Sequence, residues 1–313
     1  ETIAPYAEAY AHYIFIAAPF MICSFIMNNL LRFQGKASFA MVGITVGGLL
    51  NIALDPLFIF TLDMGTAGAA LATGLSQFIS FCILLWMCNH QDSCISISIR
   101  KFRPKLAIYR EILYGGIPSL GRQGIASVAT ILMNFMCQPY GDAAIAAMSI
   151  VSRFMFFINS VIIGFGQGFQ PVCSYCFGAG LYDRVKKACW FCIRVSTIIL
   201  LVLSVISFPA ARSIITLFRR NDPTVIEIGT LALRLQLITL PLQGAVIMGN
   251  MMPQSIGYGF RATLVSTARQ GIFLIPLLTI MTYTIGLLGI QCAQPLADIA
   301  TFILSLFVIR GIF

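Results

Sequence analysis

Three residues in one apolar run carry the most pointed chemistry in this 313-residue sequence: Asn51, Asp55 and Pro56. The run 37–60 is otherwise hydrophobic. If it crosses a bilayer, its carboxylate costs about 2.5–3.5 kcal/mol on insertion scales, so Asp55 needs a reason to be there. Asn51 lies four residues earlier, on the same face of a helix. Pro56 has no N–H to offer the carbonyl of Ile52, which leaves that oxygen free one turn back. The Asn51 amide, the Asp55 carboxylate and the Ile52 carbonyl thus converge, and hard cations such as Na+ prefer oxygen ligands. A carboxylate inside a membrane helix can also serve as a proton carrier. A second reading stays open on spacing alone. Asp55 is about five residues, or 7–8 Å, from the estimated end of the run, so Asp55-Pro56 could simply fray the helix into water.

Other chemistry-bearing residues are more dispersed. Arg122, Arg153, Arg234 and Arg269 lie in or near later apolar runs, and Asp298 is the one clear acid deep in the last of them. Buried ionised groups usually pair, so Asp298 with one of these arginines reads either as a structural ion pair or as a gating element. Gly164-x-Gly166-x-Gly168, with Gln167 and Gln170-Pro171, marks a segment that either bends or packs closely. Met133, Met136, Phe154 and Phe157 are candidates for a pliable cavity lining, though core or lipid-facing roles are commoner for such residues. Cys173-x2-Cys176 and Cys189-x2-Cys192 mimic zinc-ribbon spacing but lack the hairpin context, so no metal site is expected there. His12 and His90 are isolated. There is no His-Glu-x2-His, Gly-x-Ser-x-Gly or paired-acid prenyl-diphosphate motif, which argues against an enzyme.

The elements that must position these residues follow from composition. Hydrophobic residues make up 58% of the chain, charged residues 10%, and mean hydropathy is +0.90. A soluble domain carries about 25% charged residues. Runs long enough to span a bilayer fall at approximately 7–31, 37–60, 66–88, 115–137, 143–172, 188–217, 225–250, 262–282 and 285–309. The pattern predicts an all-α polytopic membrane protein with nine transmembrane helices. Three lie in 1–88 and six in 112–313, with a polar linker over 89–111.

The net charge of +9 is distributed topologically. Arg32, Lys36, Arg100, Lys101, Arg103, Lys105, Arg110, Arg184, Lys186, Lys187, Arg261 and Arg310 fall on one side of the alternating connections, against only Arg219 and Arg220 on the other. The richer side is expected to be cytoplasmic, which starts the first run outside and leaves the C-terminus in the cytoplasm. An odd number of spans would then precede it, and a six-plus-six architecture would lack three. With no basic stripe interleaved with aromatics, nucleic-acid binding is not expected. Gly35 and Gly65-x2-Gly68 recur as Gly257 and Gly286-x2-Gly289, at offsets of 222, 221 and 221 residues. Parallel repeats of this kind are a habit of secondary transporters.

In order and spacing, a set of motifs resembles the multidrug and toxic compound extrusion (MATE) transporters: Arg32-Phe33-Gln34-Gly35, Asn51-x3-Asp55-Pro56, Gly65-x2-Gly68-Ala69-Ala70-x-Ala72-Thr73, Gly116-Ile117-Pro118-Ser119-x2-Arg122-Gln123, Gly141-Asp142-x2-Ile145-Ala146-Ala147 and Gly168-x-Gln170-Pro171 before Gly178-Ala179. The resemblance covers essentially the whole chain and points to the bacterial drug-exporter branch. It implies the last nine helices of a twelve-helix, two-lobe fold in a bacterial inner membrane. It implies export of small organic cations in exchange for Na+ or H+, with xenobiotic transport and antibiotic resistance as consequences. No cofactor is implied beyond the coupling ion, and a monomer is expected. By the same resemblance Asn51 and Asp55 bind the coupling ion, Thr73 joins them, and Tyr10 and Asn28 add polar groups. A further acid would come from an earlier helix. No acid stands at Gly124–Ser127, where some relatives carry a second-lobe Glu. A lipid or polysaccharide flippase of the same superfamily is the alternative, disfavoured because the first-lobe runs hold no cationic cavity residues.

Overall fold

In the computed structural model the described residues are 4–90, 97, 104–219 and 222–312, and of these the side chains at 4–7, 9, 90, 111, 114–119, 121 and 122 are excluded. The described residues fold into helices α1 (Ala4–Phe33), α2 (Ala37–Pro56), α3 (Gly65–His90), α4 (Leu106–Cys137), α5 (Asp142–Gly178), α6 (Tyr182–Phe218), α7 (Pro223–Thr239), α8 (Gln243–Ser255), α9 (Gly259–Thr267), α10 (Leu274–Ile285) and α11 (Leu287–Arg310). Helix α2 runs on through a π-helical turn, Leu57–Thr61, and a second π-helical turn, Ala268–Phe273, joins α9 to α10. A short 3-10 segment, Leu240–Leu242, joins α7 to α8.

Eight helical stretches among the described residues are long and apolar enough to cross a membrane, and they coincide with eight of the nine runs read from the sequence. The ninth run, 115–137, is helical within α4 but is not among the eight. Its first half, Gly115-Gly116-Ile117-Pro118-Ser119-Leu120-Gly121-Arg122-Gln123-Gly124, carries too much glycine and polarity. Both ends of the 89–111 stretch are helical, since α3 continues to His90 and α4 starts at Leu106.

The chain divides into two compact units, Glu1–Pro104 and Lys105–Phe313. In the first, the core is small: Met27, Leu31, Ala40, Leu84, Met87 and Cys88. Close approach of α2 to α3 rests on missing side chains. A Cβ at Gly43 would overlap Leu84, and one at Gly47 would sit 2.9 Å from the Ser80 Cβ. The second unit has a larger core, in which Met148, Val151, Met155, Ile158 and Ile162 of α5 follow helical spacing and face α6, α7 and α8. Cys173, Cys189 and Cys192 are buried in that core as small hydrophobes. Large apolar side chains are widely exposed, for example Phe60 at 79% and Tyr283 at 81%, as expected of surfaces that meet acyl chains rather than water.

The repeat seen in the glycines is a repeat of mechanical parts. Gly35 (φ +78) and Gly257 (φ +86) end α1 and α8 in the left-handed conformation that glycine adopts without penalty. In both turns the following amide reaches five residues back, Lys36 to Leu31 at 2.9 Å and Tyr258 to Pro253 at 2.8 Å. A Cβ at Gly68 would lie 2.7 Å from the Phe58 carbonyl oxygen, and one at Gly289 would collide with the Met281 carbonyl oxygen. The repeat extends to a residue pair that glycine matching alone does not reveal. Asn28 Nδ2 donates to the Ala40 carbonyl at 2.8 Å and Asn250 Nδ2 to the Ala262 carbonyl at 2.6 Å, each twelve residues ahead.

Candidate functional site

In the first unit, Asn51, Asp55 and Thr73 come together. Asn51 Nδ2 donates to Asp55 Oδ1 at 3.1 Å and to Thr73 Oγ1 at 3.4 Å. The first contact is the i,i+4 geometry of α2; the second crosses to α3. Thr73 itself donates to the Ala69 carbonyl at 2.9 Å, so its oxygen is an acceptor toward Asn51. All three side chains are half-buried. Among the described residues Asp55 forms no ion pair, and neither its Oδ2 nor the Asn51 Oδ1 has a hydrogen-bond partner. Two oxygen atoms are therefore free to meet an ion.

The local backbone follows from Pro56. It sits as the last residue of α2, the Leu57 amide turns back to the Leu54 carbonyl, and the π-helical turn begins there. Interrupted hydrogen bonding at a proline commonly takes this form. The helix thus widens beside Asp55 instead of fraying away from it.

Two residues that the family resemblance places at this site stand apart from it. Asn28 is buried and committed to the Ala40 carbonyl. Ala40 lies eleven residues from Asn51 along α2, about 16 Å of helix, so Asn28 is a bracing residue shared with Asn250. Tyr10 is 42% exposed and, among the described residues, makes no hydrogen bond to the trio.

The second unit holds a different polar centre. Asp298, 1% exposed, accepts from Arg269 Nε at 2.8 Å, Gln243 Nε2 at 2.8 Å and Gln294 Nε2 at 3.1 Å. The sequence leaves open which arginine pairs with Asp298; the structure selects Arg269. Arg153 is exposed and lines a cavity instead, and Arg234 stacks over Phe208 at 5.6 Å. The Arg122 side chain lies outside the described residues. The cavity, about 470 Å³, is bounded by α4, α5, α7, α8, the second π-helical turn, α10 and α11. Of the four residues suggested as a pliable lining, only Met133 faces it; Met136 and Phe154 pack on the core and Phe157 is 71% exposed. Met148, Met155 and Phe156 supply the rest of the soft wall, which the sequence reading missed. Gly166 is a packing glycine, since a Cβ there would overlap the Met251 sulfur. Among the described residues no cluster of three or more His, Cys, Asp or Glu could hold a metal ion.

The MatE family model matches residues 1–57 and 118–288, well over half of the chain. The chain belongs to the MatE family. It is 28% identical over 98% of its length to the multidrug export protein MepA of Staphylococcus haemolyticus, covering 67% of that protein. It is 30% identical over 95% of its length to MepA of Staphylococcus aureus strain bovine RF122, covering 65%. The chain thus spans about two thirds of the length of these relatives. Among solved structures, a MOP superfamily transporter from Pyrococcus furiosus, in which reverse polarity of the binding pocket suggests a different function, superposes with a TM-score of 0.90 at 26% identity over 97% of this chain and 68% of that one. The MatE chain described here is accordingly a multi-pass, all-helical membrane protein.

Proposed function

We propose that this chain belongs to a secondary active exporter that expels small organic molecules, drugs among them, in exchange for Na+ or H+ bound at Asn51, Asp55 and Thr73. The observation that carries the reading is the half-buried Asp55 carboxylate, cross-linked by Asn51 to Thr73 of the neighbouring helix and joined to no arginine among the described residues. A free Oδ2 on Asp55 and a free Oδ1 on Asn51 offer an ion two oxygens without first breaking a salt bridge. The π-helical turn beside them lets the helix change local pitch when the ion enters or leaves. The curated relatives are multidrug export proteins, which favours drug export over lipid or polysaccharide flipping. The nine-span arrangement, with α4 as a span, an inner-membrane location and a cytoplasmic C-terminus are part of this reading. So is transport of organic cations, the class implied by the family.

The test is ethidium efflux from membrane vesicles carrying the full-length protein, driven separately by a Na+ gradient and a proton gradient. Efflux under one of the two gradients, lost in Asp55→Asn, is the expected result. Undiminished efflux in that variant removes Asp55 from the mechanism.

A further inference from the structure

Helix α6 is longer than a bilayer requires. Its 37 residues extend about 55 Å, against a hydrocarbon core of about 30 Å. Arg194 and Arg212 bound its charge-free part, 195–211, which is about 25 Å of helix. Arg194 therefore stands at one edge of the apolar layer, and the start of α6 lies beyond it. Trp190, one turn before Arg194, belongs at the same depth, because tryptophan favours the headgroup level.

The outer face of this helix forms one stripe. Val185, Cys189, Ile193, Ser196 and Leu200 are buried against neighbouring helices. On the other side Lys187, Phe191, Arg194, Ile198, Leu201 and Val205 follow one another at alternating spacings of four and three residues, and all are exposed. The stripe changes character along its length. It begins with two cations and a phenyl ring, 63% exposed, held between them, and continues as purely aliphatic surface. Among the described residues neither Lys187 nor Arg194 forms an ion pair or a side-chain hydrogen bond. Asp183, one turn before Lys187, is exposed and forms no ion pair either, and Arg184 beside it offsets its charge. By contrast, Arg32 donates to Asn29 and Arg261 to the Gly311 carbonyl at 3.0 Å. Helical side chains slant toward the N-terminus of their helix, so Arg194 directs its guanidinium out of the apolar layer toward Lys187 while its stem stays on the aliphatic part.

We propose that this face holds one anionic phospholipid, its phosphate between Lys187 and Arg194, its glycerol region over Phe191 and an acyl chain along Ile198, Leu201 and Val205. The phosphate supplies the counter-charge that the two cations lack, and guanidinium meets phosphate oxygens in paired hydrogen bonds. The aliphatic part of the stripe continues directly from the cationic part, so one surface meets both headgroup and chain. A free phosphate ion would use only half of it. Nothing is required beyond α6 spanning the membrane; ion coupling at Asp55 and the choice of exported molecule stand apart.

The test is native mass spectrometry of the full-length protein in mild detergent, titrated with phosphatidylglycerol and, separately, with phosphatidylcholine of the same acyl chains. The expected result is one phosphatidylglycerol held about tenfold or more tighter than phosphatidylcholine, as two cations at the membrane surface give for an anionic headgroup. Lys187→Gln combined with Arg194→Gln should bring the two lipids to equal affinity. Lys187→Arg combined with Arg194→Lys keeps the charge and should keep most of the preference. Arg110→Gln combined with Arg310→Gln, which removes as much charge elsewhere on the same side, should leave the preference unchanged. The proposal is overturned if the two lipids bind the wild-type protein alike, if the double glutamine variant at 187 and 194 keeps the preference, or if the control pair lowers it as much. Displacement of the lipid by an equal concentration of glycerol 3-phosphate would also overturn it, because the acyl chain would then contribute nothing.

Discussion

Helix α2 in the first unit and α9–α10 in the second occupy matching places in the repeat. Each is interrupted by a π-helical turn, the second about eleven residues earlier in the repeat frame, and the charges beside the two turns are opposite. Asp55 stands beside the Leu57–Thr61 turn, and Arg269 lies within the Ala268–Phe273 turn. The next helix answers differently in each case. Thr73 of α3 offers a hydroxyl to Asn51, whereas its repeat equivalent on α11, Gln294, helps to saturate Asp298. The first centre is left with unsatisfied oxygens and the second with a closed ion pair. Duplication thus preserved the brace, the turn glycines and the close-contact glycine, while the polar residues hung on that frame diverged. A coupling site needs a charge that can be filled and emptied. A structural pair needs one that cannot.

The contrast can be broken most severely at Asp55. Asp55→Asn keeps an acceptor for Asn51 but removes the charge, and gradient-driven ethidium efflux in vesicles should fall to background with expression unchanged. Asp298→Ala should act on stability instead. It strands the partly buried Arg269 and two glutamine donors, so a loss of about 3 kcal/mol is expected in thermal or denaturant unfolding in detergent. If Asp298→Ala abolished efflux without lowering stability, the second centre would be functional and the contrast would fail.

The frame itself predicts paired effects of decreasing size. Gly68→Ala and Gly289→Ala drive a methyl group against a backbone carbonyl, which has no rotamer by which to move aside. Each should cost about 1–3 kcal/mol in the same unfolding measurement, with Gly289→Ala at least as damaging. Asn28→Ala and Asn250→Ala each remove a long-range bond to a carbonyl at the start of the next helix. A loss of about 1–2 kcal/mol is expected for each, and of similar size for the two. Efflux per folded molecule should survive in Asn28→Ala; its loss would return Asn28 to the ion site.

Much of the candidate site was legible before any coordinates. Asn51 and Asp55 meet because residues four apart share a helix face, a constraint local to one element. Pro56 announced a break in the helix, though whether the break would fray into water or widen into a π-helical turn depended on packing with α3. Thr73 entered only through resemblance, and the sequence carries no sign that Asn28 bonds the Ala40 carbonyl, a backbone atom, away from the Asn51–Asp55–Thr73 trio. A 222-residue offset between Asn28 and Asn250 was available as a signal, parallel to that of the turn glycines.

The amino-acid sequence by itself determined a membrane-spanning helical protein, the positions of its turns, its internal repeat and the Asn51–Asp55 pair, because each depends on composition or on contacts within a few residues. Which arginine neutralises Asp298, which methionines and phenylalanines face a cavity, and where Arg153 is left without a counter-charge were decided only by tertiary packing. Those partners lie 29 to 55 residues apart for the ion pair and its glutamine, and no periodicity within a single helix can select among several arginines across such distances.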